Sequence, residues 1–100
     1  MNRKPFKSKK LRNSARGQDC TFQIRDFCNG DPETTVLAHL QWEGGVMGSK
    51  APDYSAAFAC SGCHEALDQW LIPRDERYLY MGRAQKRTMD VWVRTGVIKI

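Results

Sequence analysis

One hundred residues, 41% hydrophobic and 27% charged, make one small domain and exclude a chain with several independent cores. The formal net charge of +5 is unevenly spread, because residues 1–18 hold seven basic side chains and no acid while the remainder is about neutral. No stretch has the length and apolarity of a signal peptide or a membrane span, so the expectation is a cytoplasmic chain, with no membrane association, whose four cysteines stay reduced.

In chain order, residues 1–16 read as a basic flexible arm, disordered or partly helical, that is polar, self-repelling and without a periodic apolar face, and residues 17–100 as a single domain. Lys9, Lys10, Arg12 and Arg16 of the arm are candidates for phosphate contacts, where neutralised phosphates release counterions. Thr21 to Arg25 alternates polar and apolar residues, a weak strand signal, and Cys28 to Pro32 is dense in turn residues. Thr34 to Leu40 is β-branched and apolar, which predicts a strand with His39 near its end. Residues 43–53 are rich in glycine and predict a loop, Tyr54 to Ala59 a second short strand, and His64 to Leu71 a helix stopped at or before Pro73. A longer helix spans about Asp75 to Thr95, with Gly96 as its stop. Its apolar stripe is Tyr78, Met81, Gln85, Thr88 and Trp92, joined by Leu79, Ala84 and Val91, and Arg83, Lys86 and Arg87 form a basic patch. Val97 to Ile100 reads as a short terminal strand.

Cys60-Ser-Gly-Cys63-His64 carries the chemistry. Two cysteines flanking a two-residue turn aim both sulfurs at one tetrahedral metal. Cys20 and Cys28 are more widely spaced, but they complete the four thiols of a closed structural zinc site. Cys-x-x-Cys-His is also the attachment signature of c-type haem, which requires export and would leave two cysteines unexplained, so no haem is expected. His39 and His64 are then left over, one ending a strand and the other starting a helix. The helical histidine can hold a divalent cation, with Asp68 four residues on as a second ligand, and a neutral His39 can take a proton from water.

The pattern TTVLAHL followed by FACSGCHEALD resembles the HNH endonucleases, with their ββα-metal (His-Me) finger. More narrowly, RGQDC, CNGDPETTVLAHL and GSKAPDYSAAFACSGCHEALD are similar to the prophage YbcO family and to the catalytic domain of phage recombination-enhancement (Ref-type) nucleases, over about residues 11–71. The resemblance implies a small α+β, zinc-stapled treble-clef domain with an added C-terminal helix. It implies a DNA endonuclease with His39 as general base and His64 as ligand to a catalytic magnesium, manganese or zinc ion, and it implies a link to a recombinase filament. Two positions depart from the pattern. Ala38 stands where an acid or histidine often precedes the first histidine, and Ser55 stands near the place of the middle asparagine. Asp53, Ser55 and Asp68 are the candidates to orient His39 or complete the metal shell instead. The other reading of the same residues is a non-catalytic, zinc-stapled nucleic-acid-binding module, which needs the cysteines and the arm but has no use for His39.

Overall fold

The computed structural model describes residues 7–40 and 52–99, so most of the loop expected over residues 43–53 lies outside the described residues, as does Ile100. The elements are α1 (Lys9–Ser14), a 3₁₀ turn (Pro32–Thr34), β1 (Val36–His39), β2 (Ala56–Ala59), α2 (Ser61–Asp68) and α3 (Arg74–Arg94). This is a small α+β arrangement, a two-stranded antiparallel sheet with helices against it.

Every residue of β2 is buried, and three of the four are alanine, so α3 approaches the sheet closely. The helix buries Arg77, Met81, Ala84, Thr88 and Trp92, spaced three or four apart along one face. Tyr78 and Gln85 are only half-buried, and Leu79, expected beside the stripe, is 67% exposed. Trp92 meets Phe58 edge to face, with centroids 6.0 Å apart. Thr88 Oγ1 accepts the Phe58 N–H at 3.1 Å and lies 3.0 Å from Thr21 Oγ1, which itself donates to the Phe58 carbonyl at 2.8 Å. These bonds pin the segment after Cys20 to both β2 and α3.

Three expectations from sequence are corrected here. The first concerns the arm. Ser8 caps α1 by accepting the Leu11 N–H, and Leu11 and Ala15, one turn apart, are buried against Phe58 and Trp92. Trp92 Nε1 donates to Ser14 Oγ at 2.7 Å. Residues 8–15 therefore belong to the domain, not to a free arm. The second concerns Thr21 to Arg25, which is not a strand. Gln23 and Asp26 adopt φ of 49° and 73°, left-handed conformations that break any extended run, and the N–H groups of Gln23 and Ile24 are turned onto cysteine sulfurs. The third is the terminal strand. Gly96 stops α3 at φ 78° as expected, but Val97 and Ile98 then fold back as an irregular segment against the Leu11 and Trp92 cluster, with Ile98 N–H on the Trp92 carbonyl.

Helix α2 starts earlier than the sequence suggests, because the Cys60 sulfur serves as its cap and accepts the Cys63 N–H. It also ends earlier, at Asp68. Trp70 turns left-handed at φ 53°, and the Leu71 and Trp70 N–H groups close on the Ala66 and Leu67 carbonyls in a Schellman arrangement.

Candidate metal centre and histidine site

Two segments far apart in sequence meet at the cysteines. The loop over Cys20 to Cys28 supplies two sulfurs and the turn into α2 supplies the others, and all four Sγ atoms lie within 4.8 Å of one another. No disulfide joins them. A tetrahedral ion with Zn–S bonds of about 2.3 Å requires sulfurs about 3.8 Å apart. Cys60 and Cys28 are 3.8 Å apart. Backbone N–H groups of Gln23, Ile24, Asn29 and Cys63 point at Cys20, Cys63, Cys60 and Cys60 respectively, at 3.4–3.5 Å, which stabilises thiolates. The Cys63 thiol beside Cys20 pulls the latter down to about 4, while that same contact pushes Cys63 well up. Burial raises Cys28. Four crowded sulfurs cannot all ionise without a cation, so the donor set fits a closed zinc site. Gly62 is needed at this turn, since a β-carbon there would collide with the Phe27 carbonyl.

The second centre is built around Asp53. His39, the last residue of β1, brings Nε2 to 2.7 Å from Asp53 Oδ1. On Oδ2 the carboxylate accepts the Ser8 N–H at 2.6 Å and Arg12 Nε at 3.0 Å. Asp53 is 1% exposed, and burial pushes its carboxyl up, but the Ser8 N–H, His39 and Arg12 outweigh that and leave it below its ordinary value. Of the three side chains offered by sequence to orient His39, the fold selects Asp53. Ser55 uses its backbone to close the hairpin, where its carbonyl accepts the Leu40 N–H, and Asp68 lies beside His64.

His64 sits in the first turn of α2, half-buried, with Nε2 3.4 Å from Oδ2 of the exposed Asp68. Adjacent oxygen or nitrogen ligands of an octahedral cation with bonds of about 2.1 Å stand about 3 Å apart, so this pair is compatible with a hydrated divalent ion. Among the described residues, the four cysteines are the one group of three or more metal-capable side chains brought together. His39 and His64 each hold a separate carboxylate.

The basic candidates divide. Lys9, Lys10 and Arg16 are exposed on and just after α1, and Arg83 and Lys86 are exposed on α3. Arg87 is half-buried, with Nη1 on the Thr21 carbonyl at 3.0 Å, where it braces the cysteine loop. Arg12 is tied to Asp53. The sequence reading missed Ser8, whose role is a backbone N–H with no signature beyond a capping serine before Leu11.

A family model described as "Putative nuclease YbcO" matches residues 9–97, which extends the likeness through α3 and back to the first turn of α1. The "Putative nuclease YbcO" of Escherichia coli strain K12 is 40% identical over 97 residues, covering 89% of this chain and 96% of that protein. The protein of the same description from enterobacteria phage 82 matches with the same identity and coverage. Among solved structures, "a putative bacteriophage protein" from E. coli K-12 MG1655 superposes with a TM-score of 0.73 at 36% identity, covering 87% of this chain and all of that one.

Proposed function

The chain belongs to the YbcO family, and from that premise we propose that it is a metal-dependent DNA endonuclease of the HNH type, a treble-clef domain of ββα-metal architecture that hydrolyses phosphodiester bonds. The relatives' description as nucleases supports the class. The observation that carries the chemistry is the bond from His39 to a buried, ionised Asp53.

A carboxylate 2.7 Å from Nε2 requires that nitrogen to carry the proton, which leaves Nδ1 of His39 as the acceptor. Nδ1 takes a proton from water as the water oxygen bonds to phosphorus and the bond to the leaving sugar oxygen breaks. Asp53 steadies the resulting imidazolium, which gives its proton up to solvent while the leaving sugar oxygen takes a proton from a solvent water to become a hydroxyl. A divalent cation (magnesium, manganese or zinc) held by His64 and Asp68 would stabilise the charge that develops on the phosphate and the leaving oxygen. Zinc at Cys20, Cys28, Cys60 and Cys63 would be structural, since a closed site keeps no position for substrate. Lys9, Lys10, Arg16, Arg83 and Lys86 would grip the backbone with little sequence preference. The reading includes action in the cytoplasm, where the four thiols stay reduced, and beside a recombinase filament, which the family resemblance alone carries.

Nicking of supercoiled plasmid with each of the three metals tests it. His39→Ala should lower the rate by about a hundredfold or more, the usual scale of general-base catalysis, while zinc content and DNA affinity persist. Wild-type protein that binds DNA and nicks it with none of the metals would leave the non-catalytic binding module as the function.

A further inference from the structure

In the sequence Arg12 is one basic residue among several in an arm. In the fold it stands apart from them. Helix α1 carries it to Asp53, where its Nε donates to Oδ2 at 3.0 Å while Oδ1 of the same carboxylate meets His39 at 2.7 Å. The carboxylate is 1% exposed, yet the side chains of Arg12 and His39 are 49% and 34% exposed. One buried anion thus fixes two solvent-facing groups on the same rim, and each engages it through a single nitrogen. Two hydrogen bonds and the width of a carboxylate keep Nε of Arg12 within about 8 Å of Nε2 of His39. The Ser8 N–H on Oδ2 at 2.6 Å holds the carboxylate between them.

We propose that Arg12 is the phosphate clamp of the His39 site, its Nη amino groups binding the non-bridging oxygens of the phosphodiester that His39 prepares for attack. Asp53 uses only Nε, so the planar guanidinium serves the carboxylate on one edge and a phosphate on another, which a lysine's single nitrogen does less well. Lys9, Lys10 and Arg16 have no such anchor among the described contacts and act as a general backbone grip. The inference rests on the nuclease reading for the attack itself, but the phosphate contact stands on its own geometry.

The test uses a dithymidine with one phosphodiester and its neutral methylphosphonate analogue, probes too short to slide along the protein. Each is titrated into zinc-loaded wild type, Arg12→Ala and Arg12→Lys while the His39 ring is followed by NMR. The expected result is that the charged probe shifts the His39 resonances of the wild type. Removing either the phosphate charge or the guanidinium should weaken binding about tenfold, with little further loss when both are removed. Arg12→Lys, which keeps a cation beside Asp53, should fall between and guards against a folding defect. Equal binding of the two probes by the wild type, equal binding of the charged probe by wild type and Arg12→Ala, or no binding at all would overturn the clamp. Plasmid nicking that depends on His39 but not on Arg12 would overturn it while sparing the nuclease reading, whereas an Arg12-dependent phosphate contact in a protein that never nicks would do the reverse.

Discussion

Three donors converge on the two oxygens of Asp53, from the start of α1, from within α1 and from the end of β1. A buried carboxylate costs several kcal/mol unless it is paired, so the His39 ring is held by a group that is itself over-determined. Asp53→Asn removes the charge and permits the other histidine tautomer, and nicking should fall at least about a hundredfold. The substitution should also change the acid limb of stability. The folded Asp53 carboxyl lies below its unfolded value of 3.8, so its contribution is complete above that value and is lost as pH falls through the lower, folded one. Protonation of the cysteine thiolates weakens the fold in acid as well, so the informative quantity is the difference between wild type and Asp53→Asn in denaturant melts. That difference should shrink as pH drops below about 4, and a constant difference would contradict the ionised, paired state. The histidines were legible because each stands at a recognisable element boundary. Their partners were legible only in part. Asp68 follows from helical spacing, but the choice of Asp53 over Ser55 depends on a contact between residues fourteen positions apart, which local pattern does not encode.

Helix α1 shows what charge hides. Leu11 and Ala15 are the only apolar pair with helical spacing in a run dominated by lysine, arginine and small polar residues, and composition alone makes that run an arm. Yet the pair fills the corner between Phe58 and Trp92, and the helix delivers Ser8 and Arg12 to the site. Leu11→Ala should therefore cost about 2–5 kcal/mol in urea unfolding, the range for a buried leucine. Deleting residues 2–16 should destabilise the domain and disconnect His39 together. If that deletion melts like the intact chain, α1 is not part of the domain. Helix α3 was the opposite case. Its long 3.6-residue period and its glycine stop were plain, and its bounds differ from expectation by one residue at each end. The segment from Thr21 to Arg25 misled because alternation suggested a strand, where Gln23 instead turns left-handed and the N–H groups of Gln23 and Ile24 meet cysteine sulfurs.

At the scale of the whole molecule, the secondary structure is too slight to hold itself together. Among the described residues the sheet has two strands of four residues, and an isolated hairpin of that kind is marginal in water. Cys20, Cys60 and Cys63 sit inside the main apolar cluster with Phe22, Ile24 and Met81, so the thiol cluster is the centre of the core and not an appendage. Structural zinc in small peptides is worth on the order of 10–16 kcal/mol near neutral pH, against a net stability of about 5–15 kcal/mol for a typical domain. Removing the ion should therefore unfold the protein and not merely inactivate it. Chelation or Cys63→Ser should abolish the cooperative melt and collapse the far-UV helical signal along with the zinc content. His64→Ala provides the contrast, because that side chain reaches solvent and lies outside the sulfur cluster. It should keep one zinc per chain and an unchanged melt while nicking declines, and added divalent metal should restore part of the loss. A chelated protein that still melts cooperatively at the native midpoint would show that buried thiols alone hold the core, and would leave the cysteine cluster without a metal to explain it.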